Sequence, residues 1–142
     1  MPDLNDIQTN GFNVITVQLS AAQILALFTT PVQLLPPPGP GFFYMINRLI
    51  LRFFPGGSQY AGGGNLLVVG NGGSILTTAA LPAVITGAVK QICEVNVSYS
   101  NAGLPTANLD NAPVSLNNIT APFTGGNGTL SVSLQYNLEP ST

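Results

Sequence analysis

Thr129-Leu130-Ser131-Val132-Ser133-Leu134-Gln135-Tyr136-Asn137-Leu138 alternates without a break: every even position is apolar and every odd position is polar. A period of two sends successive side chains to opposite faces of an extended chain. The segment therefore reads as a strand with one face on a core and the other toward water. Wound as a helix, the same residues would scatter their apolar groups around the whole circumference. Gly125-Gly126-Asn127-Gly128, just before it, is a turn signal.

The same period recurs upstream. Residues 12–19 place Ile15, Val17 and Leu19 on one face and Thr16 and Gln18 on the other. Residues 42–54 form a longer strand. Phe43, Met45, Leu49, Leu51 and Phe53 share one face, and Tyr44, Ile46, Arg48, Ile50 and Arg52 share the second. Both faces are largely apolar, which predicts cover on both sides: a second sheet on one, and a helix, loop or neighbouring subunit on the other. Weaker strands are predicted at residues 65–69, 89–99 and 113–116. Ser20-Ala21-Ala22-Gln23-Ile24-Leu25-Ala26-Leu27 is the best helix candidate, with Ser20 as N-cap and Thr29-Thr30-Pro31 as its stop. Residues 79–86 could add a second short turn of helix, and residues 36–41, Pro-Pro-Pro-Gly-Pro-Gly, make a rigid connector. Turn signals every ten to fifteen residues complete the pattern of an all-β antiparallel sandwich, jelly-roll-like, with one short helix near residues 20–27. Residues 1–10 are expected to form a flexible N-terminal arm, and residues 11–140 a single β-sandwich domain.

Composition narrows the function. The chain has 142 residues, of which only 6% are charged, against about 25% in an ordinary soluble domain. Three basic residues, Arg48, Arg52 and Lys90, are too few to grip a phosphate backbone, so nucleic-acid binding is not expected. No apolar run reaches the ~20 residues of a membrane helix. Residues 1–11 carry Asp3 and Asp6 and no basic residue, which is not the pattern of a signal peptide and implies synthesis in a cytoplasm.

Chemistry is equally constrained. There is no histidine to serve as a base for a serine or cysteine nucleophile. The lone Cys93 shares a strand face with Val95 and Val97 and reads as a small buried hydrophobe. A paired-carboxylate mechanism would have to rest on Glu94 with Asp110, which nothing in the sequence places together. Asp110 with Asn108 or Asn111 could offer oxygens to calcium, but at no recognised loop spacing, and a polar turn is the plainer reading. Residues 61–65 and 70–74 are Gly-rich without a Lys, and match neither phosphate-binding pattern. No catalytic residue, cofactor or metal is expected.

So charge-poor a surface suits a subunit held in permanent contact with others, because interface cores are depleted of charge. A homo-oligomer, dimer or trimer, or a fixed part of a larger assembly is expected. Arg48 and Arg52, four apart on one strand face, are the candidate contact residues, together with Phe54 and Tyr60 as exposed aromatics. Residues 54–60 and 101–109 are expected as exposed loops, and the N-terminal arm could reach a neighbour.

Residues 19–36, Leu-Ser-Ala-Ala-Gln-Ile-Leu-Ala-Leu-Phe-Thr-Thr-Pro-Val-Gln-Leu-Leu-Pro, followed by Pro38-Gly39-Pro40-Gly41, resemble a segment that precedes a long strand in small tailed-phage structural proteins. Ala61-Gly62-Gly63-Gly64-Asn65-Leu66, Asn111-Ala112-Pro113-Val114-Ser115-Leu116 and Phe123-Thr124-Gly125-Gly126-Asn127-Gly128-Thr129-Leu130 are similar to later stretches of the same proteins. The resemblance runs from Gly11 onward and is closest to the capsid decoration, or cement, class. It departs at Phe42-Phe43-Tyr44-Met45, where a Lys-Val-Ile-type opening is expected, so the surface there differs. The resemblance implies a non-enzymatic virion protein on the capsid exterior, stabilising the shell by contact with the major capsid protein. A tail, fibre or baseplate module binding a host receptor or glycan is the alternative, and a carbohydrate hydrolase the third.

Overall fold

In the computed structural model, which describes residues 13–70, 76–77, 79–97 and 106–142, the alternating segment is the hub of the larger sheet. It forms β9 (Thr129–Pro140), flanked antiparallel by β1 (Asn13–Leu19) and β3 (Phe42–Phe54), and β6 (Gln91–Val95) lies on the far side of β3. The even positions do what their period requires. Leu130 stands between Leu19 and Phe53, Val132 between Val17 and Leu51, and Leu134 between Ile15 and Leu49. Leu130, Val132 and Leu134 are all buried.

A second sheet, in the order β2 (Val32–Leu35), β7 (Val114–Asn118), β5 (Leu66–Val69), and a two-stranded sheet of β4 (Tyr60–Gly62) with β8 (Phe123–Gly125) supply the facing layer. Both larger sheets contribute to one core, with Leu34, Leu35, Leu66, Val68 and Leu116 joining Leu19, Leu49, Leu51 and Phe53. The chain is thus an all-β antiparallel sandwich. Strands β1, β2, β3, β5, β6, β7 and β9 alternate between the two larger sheets, so these steps cross the core rather than turn as tight hairpins.

Among the described residues three short helices fill the crossings: α1 (Ala21–Ala26), α2 (Ala83–Thr86) and α3 (Thr106–Leu109). The Ser20 hydroxyl accepts from the Gln23 N–H, and the Gln23 side chain accepts from the Ser20 N–H, a reciprocal capping box that starts α1 where its sequence predicts. Ile24 and Leu27 then turn into the core.

Within the described chain β3 has the expected cover on both sides only in its first half, where Phe43 and Met45 on one face and Tyr44 and Ile46 on the other all pack into the core. Ile46 pairs with Tyr136 and Arg48 with Gln135, leaving Asn47 as an extra residue, a β-bulge. The bulge reverses the alternation. Ile46 lies on the core side with Leu49, Leu51 and Phe53, not with Arg48 and Arg52, and Tyr44 packs edge-on against Tyr136 at 5.3 Å. The second face of the strand beyond the bulge keeps only Ile50 among aliphatic residues and is open within the described chain. The strand buried along its whole length is instead β5, whose four residues are all enclosed.

Strands β2, β4 and β8 and helix α3 were not expected from the sequence. The proposed arm at 1–10, Tyr99, and residues 101–105 of the expected loop fall outside the described residues. Of the rest of that loop, residues 106–109 form α3, and Leu109 is buried.

Candidate functional site: an open cationic sheet face

The register fixes what the outer face of the larger sheet presents. One row runs Val14, Gln135, Arg48; the next Thr16, Ser133, Ile50, Glu94; the next Gln18, Ser131, Arg52, Ile92; and Phe54 pairs with Thr129 beyond it. Small serines on β9 form the floor, and longer side chains on β1, β3 and β6 rise around it. Ser131 is buried although it faces outward, which fits the long Gln18 and Arg52 chains on either side.

Every basic residue of the chain lies on or beside this face. Arg48 holds Glu94 through both carboxylate oxygens, Nε to Oε1 at 3.1 Å and Nη2 to Oε2 at 3.0 Å. This hydrogen-bonded pair, reinforced by the attraction of opposite charges, holds the Glu94 carboxyl below its usual range and raises the Arg48 guanidinium. Arg52 donates only to the Ser133 hydroxyl, at 3.3 Å, and forms no ion pair among the described residues. Lys90 stands 5.9 Å over the ring of Phe54. Three cations stand against two carboxylates, Glu94 beside Arg48 and Glu139 farther along β9 opposite Phe43, and leave this face net positive in a chain of formal charge −2. Apolar groups are interleaved with them: Ile92 is 68% exposed, Val14 58% and Phe54 38%.

Arg48, Arg52 and Phe54 therefore share one surface. Tyr60 does not. It is only 3% exposed, its ring packs edge-on between Phe53 and Phe123, each at 6.2 Å, and its hydroxyl donates to the Gly128 carbonyl at 2.8 Å. It is a core residue, because β4 pairs with β8 and directs the ring inward. Ile92, Val14 and Lys90 were not singled out by sequence reasoning. Ile92 and Val14 gain meaning only from the register that sets them beside Arg52 and Gln135. Loop residues 56–59 are exposed as expected, yet Asn127 fastens the loop. Its side-chain oxygen accepts from the Ser58 N–H at 2.9 Å, and its own N–H donates to the Ser58 carbonyl.

The two candidate carboxylates lie on different parts of the molecule. Glu94 pairs opposite Ile50, whereas Asp110 accepts from the Gly41 N–H at 2.8 Å and from the Ser141 hydroxyl. Nine residues of extended chain separate those two points of attachment, roughly 25 Å or more, against the ~5–10 Å that a carboxylate pair needs to act on one bond. Asp110 and Asn111 instead clamp the Pro-rich connector, since Asn111 Oδ1 accepts from the Gly39 N–H at 2.9 Å. The open depression beside Asp110, about 430 Å³, is bounded by Gly41, Ala107, Ser141 and Thr142 and brings no second ionisable side chain to it. Gly63, at φ +84°, lies so close to Phe123 that a Cβ would fall 2.0 Å from its ring. That close approach accounts for the glycine as a packing residue. Cys93 lies on the inner face opposite Leu51, half-buried, and burial pushes its thiol up. Among the described residues no helix is long and apolar enough to cross a membrane.

No protein-family model matches the chain, and no curated protein matches it.

Proposed function

We propose that the protein is a non-enzymatic structural subunit of a tailed-phage virion. It decorates the capsid exterior and cements the shell by docking its open cationic face on an acidic surface of the major capsid protein. The observation that carries this reading is the gathering of Arg48, Arg52 and Lys90, with Phe54 and Ile92, on one uncovered sheet face. Charged rims with apolar anchors are what a protein interface offers, and complementary charge steers and orients the partner. The resemblance of residues 19–41 and 111–130 to decoration proteins supports the same assignment. A jelly-roll arrangement belongs to this reading. It is supported by the first and last strands lying side by side and by the alternation of strands between the two larger sheets.

The tail-module alternative drew on exposed aromatics. Of these, Tyr60 is buried, which leaves Phe54, 38% exposed with Lys90 5.9 Å from its ring, and that pairing of cation and aromatic suits an acidic protein surface better than a neutral sugar. Quantitative mass spectrometry of purified virions tests the proposal. Copies near-stoichiometric with the major capsid protein, lost when Arg52→Glu and Lys90→Glu are combined, are expected. Absence from virions, or a handful of copies per particle, overturns it.

A further inference from the structure

We infer that β1 is a self-association edge: two copies pair antiparallel through Asn13–Leu19 about a twofold axis at Thr16. Among the described residues the larger sheet ends at two edges, β1 and β6. Edge β6 carries the ion-paired Glu94 with Lys90 beside it, the kind of charge that blunts an edge against further pairing. Edge β1 has no such protection among the described residues. Its seven residues, Asn-Val-Ile-Thr-Val-Gln-Leu, contain no charge, proline or glycine, and its register with β9 runs without a bulge. Among the described residues β1 pairs with β9 alone, so its outer row of backbone donors and acceptors has no strand partner.

The edge is also incompletely covered. On the core-facing side Leu130, Val132 and Leu134 of β9 are fully buried, yet Ile15 and Val17 of β1 beside them are only half-buried. A strand added outside β1 would finish that burial.

The sequence of the edge selects a second copy as the occupant. With Thr16 opposite Thr16 of the other copy, Ile15 meets Val17 and Val14 meets Gln18, so core-facing apolar residues oppose each other in both directions. A twofold interface requires this self-complementarity. A neutral edge sets no like charges together, and a central Thr–Thr pair is favourable. The resulting eight-stranded sheet carries both cationic faces on the same side, so one dimer offers two docking surfaces to a common partner. The inference deepens the oligomeric part of the proposed function but rests on the edge strand alone.

Sedimentation equilibrium on the full chain tests it, since solution mass and virion copy number can fail separately. The wild type is expected to be a dimer. Thr16→Lys or Thr16→Glu, each placing like charges directly opposite one another, is expected to weaken association about tenfold or more with unchanged circular dichroism. Mixing the two variants restores the dimer. Should either variant fail to fold, Thr16→Cys in a Cys93→Ser background decides. Strand pairing at this register holds the two Cα atoms within disulfide reach, so oxidation yields a covalent dimer. A monomeric or trimeric wild type, variants that still dimerise, or no cross-link overturns the inference.

Discussion

Replacing Tyr60 by Phe isolates one hydroxyl in the core. The ring keeps its place between Phe53 and Phe123, and only the 2.8 Å bond to the Gly128 carbonyl is lost. Gly128 is itself buried, just ahead of β9, so the carbonyl loses the tyrosine as a partner with little access to water. Stranding a buried acceptor costs about 1–2 kcal/mol, which for a chain of this size lowers Tm by roughly 3–8 °C. Tyr60→Ala, which also removes the ring, costs about 3–5 kcal/mol, a large part of a typical stability of ~5–15 kcal/mol. Urea titration followed by circular dichroism reads both variants, with the denaturant slope unchanged if only stability has moved. Alkaline titration gives a second readout. Burial raises the Tyr60 hydroxyl above its ordinary value of 10.0. Its contribution is therefore complete below that ordinary value and is lost as pH rises through the raised one, and Tyr60→Phe removes this dependence. A Tyr60→Phe protein as stable as wild type but impaired in partner binding would refute the reasoning and return Tyr60 to the surface.

Arg52→Glu with Lys90→Glu should leave the melting temperature nearly unchanged, because both side chains stand at the open face, while partner binding falls and loses its sensitivity to salt; binding assays across ionic strength check this. The Arg48–Glu94 pair should support the fold fully above pH 4.5, the ordinary carboxylate value, and progressively less as pH falls through the lowered value of Glu94. Acid unfolding of wild type against Glu94→Gln measures the difference, which should vanish at low pH. Gly63→Ala combines a left-handed backbone with a Cβ inside the ring of Phe123 and should cost about 2–4 kcal/mol, seen as an earlier urea midpoint.

The limits of reading this chain are visible in particular residues. Local signals found β9, β1, both ends of β3 and helix α1, because each states its environment locally: two-residue alternation for the strands, an N-cap serine, strong helix formers and a proline stop for the helix. They overlooked β2, β4 and β8, which are three or four residues long and too short to show a period. They placed Ile46 on the wrong face, because a bulge is invisible to a pattern that assumes an unbroken pleat. Tyr60 looked like an exposed aromatic among glycines until its partners were known, Phe53 from the preceding strand and Phe123 from β8, far along the chain.

The sequence by itself determined an all-β antiparallel chain with few charges, no histidine and two arginines on one strand face, since strand period and side-chain chemistry are local properties. Tertiary structure alone decided that Lys90, Ile92 and Val14 join those arginines on one open surface, that Glu94 neutralises Arg48 while Arg52 has no ion pair among the described residues, and that β1 ends the described sheet. Each depends on which strands are neighbours and in what register. Those are set by the best burial of the whole core, which no single segment encodes.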